Sequence, residues 1–140
     1  MNSTATAQLS FFKLLKAAHA LEDRLEGSLA EVGLSSAKFG ALNQLVQAKE
    51  PLSLSDLAAR VACVRSNITQ LVDRLESDGL VRRVSDPDDR RSVRAEVTPL
   101  GRERHSSGAT RVEAIQRSFA ESIGDSDRDA LERVLEVLKK

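Results

Sequence analysis

Residues 65–98, RSNITQLVDRLESDGLVRRVSDPDDRRSVRAEVT, decide the fold of this chain because the hydrophobic period changes within them. In the first part, apolar residues recur every three or four positions, which predicts an amphipathic helix that buries Ile68, Leu71, Val72 and Leu75. Gly79 follows at a position where glycine commonly ends a helix. The stretch therefore begins with a helix that has one apolar and one polar face.

The second part of the stretch alternates between apolar and polar residues, which predicts a half-buried strand that covers Val93, Ala95 and Val97. The tetrapeptide Asp86-Pro87-Asp88-Asp89 is a turn signal, and residues 80–84 before it supply the partner strand. The sequence thus predicts a β-hairpin with a charged tip directly after the helix.

The residues before this stretch predict two further helices. Ser35 is suited to cap a helix that closes before Pro51, and residues 52–54 form a short extended piece. Ser55 is then expected to cap a third, short helix whose apolar positions are Leu57, Ala58 and Val61. Two helices joined by a turn and followed by a hairpin make a winged helix-turn-helix.

Both ends of the chain are predicted to be long amphipathic helices. The first runs from Gln8 to Gly33, after a frayed segment of residues 1–7, and a fifth and a sixth helix follow Thr98-Pro99 and Gly124. A helix of roughly 24 residues is about 36 Å long, more than a small core needs. We therefore expect a mainly α protein with a small β-hairpin wing, whose terminal helices pack against a second copy.

This organisation divides one continuous domain into three parts. We expect residues 1–33 to form an N-terminal dimerisation helix, residues 34–98 a DNA-binding lobe, and residues 99–140 the C-terminal dimerisation helices. With 21 basic and 21 acidic side chains, the chain is not a polybasic DNA binder, although clustered positive charge can still bind DNA. The division into parts and the charge pattern therefore remain compatible with a regulator.

Composition and motifs exclude several other classes of protein. A single cysteine allows no disulfide within the chain, and two histidines outside any metal-binding motif predict neither a metal site nor a cofactor. Phosphate-binding loops and nucleophile motifs are missing from the sequence, so we do not expect an enzyme. Apolar runs are too short to span a bilayer, and we expect a cytoplasmic protein.

The polar face of the fourth helix carries side chains of the kinds that can read DNA. It contains Arg65, Ser66, Asn67, Thr69, Gln70 and Arg74. Arginine can donate two hydrogen bonds to guanine and Asn or Gln can pair with adenine, so Arg65, Asn67 and Gln70 are expected to meet base edges. Ser66 and Thr69 suit phosphate oxygens, and we also assign Ser55 to the DNA-contacting residues. The alternative is an ordinary solvated helix face.

The hairpin adds a second set of basic residues. Arg90 and Arg91 lie at its tip, and Arg82, Arg83 and Arg94 lie along its strands. A narrow minor groove has an enhanced negative potential that attracts inserted arginine. The alternative is a solvated tip whose charges neutralise one another, because three aspartates share the turn.

Five stretches in this order resemble the MarR family of transcriptional regulators. Residues 57–61, 65–76 and 79–81 resemble its helix-turn-helix, residues 86–91 its wing, and residues 97–101 the entry to its next helix. The chain departs from the family at Val64, where many members have a polar residue before the recognition helix. This departure leaves Ser66 as an alternative helix cap.

The resemblance implies a function as well as a fold. It implies a homodimer built from the first, fifth and sixth helices, which binds a pseudo-palindromic operator in double-stranded DNA. It implies that Asp89 orients the guanidinium of Arg91 or Arg90. It also implies repression that is relieved by a small aromatic or phenolic effector, whose binding residues the sequence does not identify.

Three features keep alternatives open. The neutral net charge is compatible with a winged helix that binds a protein instead of DNA. Cys63 is either a redox sensor beside the recognition helix or a small buried apolar residue, and we favour the second because the chain has no other cysteine. His19 either lines a ligand pocket at the dimer interface or is a partly buried polar residue, which we favour.

Overall fold

The computed structural model describes residues 2–63 and 65–139, and the side chains of Arg65 and Ser66 lie outside that description. The departure noted at Val64 therefore falls outside the described residues. In chain order the elements are α1 (Ser3–Ala30), α2 (Ser36–Ala48), β1 (Leu52–Ser53), α3 (Leu54–Arg60), α4 (Arg65–Ser77), β2 (Val81–Ser85), β3 (Val93–Val97), α5 (Pro99–Ser122) and α6 (Asp125–Leu138). The fold is mainly helical with a small antiparallel sheet, which confirms the predicted winged helix-turn-helix.

The sheet joins the hairpin to the segment before α3. The strand order is β1-β3-β2, and both pairs are antiparallel. Leu52 in β1 lies opposite Ala95, and Val81 in β2 lies opposite Val97. Ala95 and Val97 are buried against the helices, as the apolar alternation of β3 predicted, whereas Val93 at the end next to the turn is 40% exposed.

Local signals placed several helix ends correctly. The side chain of Ser35 accepts a hydrogen bond from the backbone N–H of Lys38 at 3.1 Å, as expected of the α2 cap. The side chain of Thr98 caps α5 in the same way, ahead of Pro99. Gly79 has φ +77°, a left-handed conformation that ends α4 where the sequence predicted.

Two predicted boundaries were wrong. The first helix begins at Ser3 rather than Gln8, because the side chain of Asn2 caps it by accepting a hydrogen bond from the N–H of Ala5 at 2.8 Å. The third helix is capped by Ser53 and not by Ser55, since the Ser53 hydroxyl accepts a hydrogen bond from the N–H of Asp56 at 3.1 Å. Ser55 lies inside α3 with its side chain exposed.

The core lies between α2, α3, α4 and the sheet. Its largest fully buried side chains are Leu29, Leu42, Leu45, Leu57, Ile68, Val72, Leu75, Leu80 and Val81. Only Leu29 of this group comes from α1, and α6, all of whose residues are described, contributes no buried residue. Within residues 2–63 and 65–139, none of the helices has the length and apolarity that a bilayer crossing requires.

Candidate nucleic-acid interface

Helix α4 has the two faces that its sequence predicts. Ile68, Val72 and Leu75 are completely buried and anchor the helix on the core. The side chains predicted to face DNA are exposed at all positions for which burial is described, namely Asn67, Thr69, Gln70 and Arg74. Arg65 begins the helix, but its side chain and that of Ser66 fall outside the described part. The described polar side chains of α4 are therefore on the surface of the protein.

The tip of the wing presents two arginines to solvent. Arg90 and Arg91 are both exposed. Asp89 accepts a hydrogen bond through Oδ1 from the backbone N–H of Arg91 at 3.0 Å. This contact shapes the main chain of the turn, whereas the predicted role was a bond to a guanidinium. The carboxylate that does bind a guanidinium is that of Asp86, which lies within 3.1 Å of Arg94 Nη2.

Two of the wing-strand arginines bind acidic side chains on neighbouring elements. Arg82 pairs with Glu96, its direct partner across the two strands. Arg83 reaches α4, where its guanidinium lies 2.6 Å from Asp73 and 2.8 Å from Glu76. Partial burial acts to lower the pKa of Arg83, but these two acids raise the pKa above its usual value overall. The charges of Arg82 and Arg83 are therefore balanced by acidic partners within the chain.

Ser55 and the wing meet in one cleft. The N-terminal turn of α3 and the start of β3 line it together, through Ser53, Leu54, Ser55, Arg91, Ser92 and Val93. Ser55 and Arg91 were both predicted to contact DNA, and the fold brings them to the same groove.

The structure also describes the surroundings of Cys63 and His19, the other two residues considered as sites. Cys63 is partly buried and packs against the core, in agreement with the apolar interpretation. His19 is exposed in the single chain, so the expectation of partial burial was wrong for this state. Among the residues that the structure describes, no three His, Cys, Asp or Glu side chains are grouped as metal ligands would be.

Sequence reasoning missed a cluster between α2 and α5. The ring of His105 stacks on Phe39 with centroids 5.3 Å apart and planes 3° from parallel. His105 Nε2 lies 2.9 Å from Asn43 Oδ1, and burial lowers the pKa of the imidazole. His105 and Phe39 lie far apart in the chain, so only their helix positions, and no local motif, could have indicated this contact.

Comparisons with known proteins place these features in context. The sequence model of the MarR family matches residues 34–93, from the start of the lobe to the wing. The transcriptional regulator YkoM of Bacillus subtilis is 36% identical over 73 residues, which cover 52% of this chain and 47% of YkoM. This chain therefore spans about half the length of that relative.

Two further proteins are similar over most of the chain. The transcriptional activatory protein BadR of Rhodopseudomonas palustris is 30% identical over 132 residues, which cover 93% of this chain and 74% of BadR. The solved structure of the transcriptional repressor CouR, bound to a 23-mer DNA duplex, has a TM-score of 0.83 and 26% identity. That similarity covers 100% of this chain and 99% of CouR.

Proposed function

Because the chain belongs to the MarR family of winged helix-turn-helix transcriptional regulators, we propose that it is a sequence-specific repressor that binds a pseudo-palindromic operator as a homodimer. The family consists of regulators, and the chain is not an enzyme. The observation that carries the proposal is that the described polar side chains of α4 and the two arginines of the wing tip are all exposed, while the apolar face of α4 is buried. CouR, which resembles this chain over its whole length, binds a DNA duplex.

In this proposal α4 enters the major groove. Asn67 and Gln70 lie three residues apart on the exposed side, so both amides can approach base edges in the same groove. Arg65, at the start of the helix, is assigned to a third base. Ser66 and Thr69 contact phosphate oxygens, which position the protein without specifying sequence. Arg74 and Ser55 extend these contacts to the flanking backbone.

The wing enters the adjacent minor groove. Arg90 and Arg91 are the basic side chains that the turn presents to solvent, and a narrow groove attracts arginine. Arg82 and Arg83 already bind acidic partners within the protein, so we leave them out of the DNA-contacting set. Asp89 supports this arrangement by holding the main chain at Arg91.

A second copy is needed to cover the terminal helices. Phe11 and Phe12 in α1 are 56% and 66% exposed, and Val137 in α6 is 65% exposed. Large apolar side chains left in water along whole helices mark an interaction surface. We therefore assign residues 1–33 and 99–140 to dimerisation and residues 34–98 to DNA binding. Two-fold symmetry then requires two half-sites about one helical turn apart, or a multiple of that.

Relief of repression by a small aromatic or phenolic effector completes the proposal. Repression is the mode of control named for CouR, which is similar to this chain over its whole length, whereas BadR is an activatory protein. Effector-binding residues are not assigned. A protein that acts on chromosomal DNA works in the cytoplasm, where we place this one.

Selection of binding sites from random duplexes tests the proposal. The wild-type protein should select an imperfect palindrome, and its affinity should fall steeply with salt because phosphate contacts release counterions. Gln70→Ala should relax the preference at one symmetric pair of positions, at a cost of about 1–3 kcal/mol against the preferred base. Thr69→Ala is the matched control on the same face and should weaken all sequences alike.

Two results would contradict the proposal. If the purified protein selects no sequence and binds duplexes without salt dependence, the winged helix serves as a protein-binding module. If Gln70→Ala lowers affinity uniformly and leaves the selected sequence unchanged, α4 does not read bases through this face. Specificity would then come from the wing or from DNA shape.

A further inference from the structure

The base of the wing contains a buried carboxylate that DNA binding does not explain. Asp86 follows β2 and is only 9% exposed, the one buried polar or charged residue among those whose burial is described. Its Oδ1 accepts a hydrogen bond from the backbone N–H of Asp88 at 2.9 Å. The N–H of Asp88 and, to a smaller degree, the guanidinium of Arg94 hold the pKa of Asp86 below its usual value. The carboxylate is therefore charged at neutral pH.

The guanidinium of Arg94 joins this carboxylate to the body of the protein. Its Nε donates to Asp86 Oδ2 at 3.1 Å, and its Nη1 donates to the backbone carbonyl of Pro51 at 3.2 Å. Pro51 lies between α2 and β1, outside the hairpin. One planar side chain thus connects the start of the wing turn to the segment that leads into the helix-turn-helix.

The main chain of the turn closes on the same point. Asp86 N–H donates to the carbonyl of Ser92 at 3.1 Å, and Ser92 N–H donates to the carbonyl of Asp89 at 3.0 Å. Arg90 and Arg91 lie inside the loop that these bonds close. The direction in which the two arginines project depends on a turn whose base is held by Asp86.

We propose that Asp86 and Arg94 are positioning residues, which fix the angle of the wing against the body and so keep Arg90 and Arg91 within reach of the minor groove. This inference rests on the proposed function for its DNA readout. It differs from a direct role of Arg94 in DNA binding, because the guanidinium is already shared between Asp86 and Pro51. A misplacement of about 1 Å at a site built for recognition is enough to lose a contact.

The charge of Asp86 makes the test decisive. Asp86→Asn removes a negative charge close to bound DNA, so electrostatics alone predicts tighter binding. The positioning role predicts weaker binding, because an amide forms no ion pair with Arg94 and has one acceptor oxygen where the carboxylate uses two. Asp88→Asn is the matched control, since Asp88 is an exposed acid in the same turn. It should bind as tightly as wild type or slightly more tightly.

Operator affinity is measured by fluorescence anisotropy on dimeric protein at fixed salt. We expect Asp86→Asn and Arg94→Lys each to bind about tenfold more weakly, a loss that corresponds to one contact at the wing tip. Lysine keeps the positive charge but lacks the planar fork that bridges two acceptors. Wild-type affinity for Arg94→Lys, or unchanged or tighter binding by Asp86→Asn, would overturn the proposal.

A double-mutant cycle separates positioning from a general loss of stability. If Asp86 acts through the tip, Asp86→Asn should cost little further affinity in a protein that already carries Arg90→Ala and Arg91→Ala. Additive losses would mean that Asp86 supports the fold as a whole, and would refute the positioning role. Circular dichroism and the unfolding transition identify any variant that does not fold. If Asp86→Asn does not fold, Arg94→Lys replaces it in the double-mutant cycle.

Hydrogen exchange on the free protein tests the same proposal without DNA. Backbone amides of residues 86–92 should exchange faster in Asp86→Asn and Arg94→Lys than in wild type or Asp88→Asn, while α4 remains protected. If exchange changes in this way but no variant affects DNA binding, Asp86 and Arg94 hold the turn, but the turn does not contribute to DNA binding. If exchange at residues 86–92 is unchanged, Asp86 and Arg94 do not hold the turn in place.

Discussion

The DNA-binding lobe and the terminal helices bury their apolar residues to very different extents. In the lobe, Leu42 and Ile68 are completely buried. In α6, Val137 and Leu138 are 65% and 55% exposed, although their helical spacing is just as regular. Apolar periodicity predicts a helix with one apolar face, but it does not indicate whether residues of the same chain bury that face. The contrast shows that the lobe and Leu29 of α1 share a covered core, whereas α6 leaves its apolar side chains exposed in the single chain.

The largest expected effect separates these two regions directly. Leu42→Ala should cost about 2–5 kcal/mol of unfolding free energy, because it opens a cavity in the core of the lobe. Leu135→Ala in α6 removes a side chain that is 39% exposed, so its cost should appear through dimerisation. Denaturant titrations at several protein concentrations measure both changes.

The two leucine variants should respond differently to concentration. The midpoint of Leu135→Ala should move with protein concentration more than that of wild type, since a weakened dimer dissociates before it unfolds. A stable, folded wild-type monomer at micromolar concentration in sedimentation would break the comparison, because the ends would then be stable without a partner.

A smaller effect is expected where α5 leaves the lobe. A Cβ added to Gly101 would lie 2.0 Å from the backbone carbonyl oxygen of Leu80, which cannot move away as a side chain can. Gly101→Ala should therefore destabilise the protein by about 1–3 kcal/mol. Gly40 in α2 is the control, because nothing lies within 4 Å of its added Cβ.

The control should change stability in the opposite direction. Gly40→Ala should stabilise the protein by about 0.5–1 kcal/mol, since alanine loses less conformational freedom in a helix than glycine. Thermal unfolding of both variants checks the pair. Equal melting temperatures for Gly101→Ala and wild type would show that α5 does not pack on Leu80 in solution.

Local patterns predicted the lobe well and its side-chain partners poorly. The change of period after Gly79 correctly indicated α4 and the hairpin, because both signals depend on neighbouring residues. The choice between Ser53 and Ser55 as the α3 cap depends on where β1 ends. That point is set by pairing of Leu52 and Ser53 with β3, some forty residues away. A sequence window cannot contain that information.

The wing arginines show the same limit. The sequence did not indicate that Arg82 pairs with Glu96, which lies opposite because of the strand register, or that Arg83 meets acids on α4. Asp86 is one of three aspartates in the turn, and only the structure shows that Arg94, across the hairpin, is its ion-pair partner. Ion-pair partners that depend on strand register and helix packing could be identified only from the structure.

Two of these arginines give the next prediction, within the lobe itself. Arg91→Ala should weaken operator binding by about 1–3 kcal/mol, the usual cost of a lost charged contact. Arg82→Ala removes the same charge from a residue that already pairs with Glu96, and should change affinity by a few tenths of a kcal/mol. Anisotropy titrations compare them. Equal losses would mean that the wing binds DNA through its total charge.

A still smaller effect concerns the contact between the lobe and α5. Burial lowers the pKa of His105, so the folded protein binds this proton less readily than the unfolded chain does. Stability should therefore rise with pH up to the usual histidine pKa of about 6.5 and fall when the solution is more acidic. In His105→Gln this part of the pH dependence should be missing. An unchanged profile would assign the acid sensitivity to other groups.

The smallest effect is expected at Cys63, between α3 and α4. Its side chain is partly buried and packs against the core beside Val61 and Leu71, which suits a small apolar residue. Cys63→Ser should keep operator affinity within about twofold, because the exchange is nearly isosteric and far smaller than the loss of a wing contact. Peroxide should also leave wild-type binding unchanged at doses that do not unfold it, since the chain offers no second cysteine to trap a sulfenic acid. Titrations before and after peroxide, with the serine variant as control, measure this. A rapid and reversible loss of binding in wild type, absent from Cys63→Ser, would make the turn of the lobe a redox switch. In that case oxidation of a single sulfur atom, next to a well-packed core, would control the position of the recognition helix.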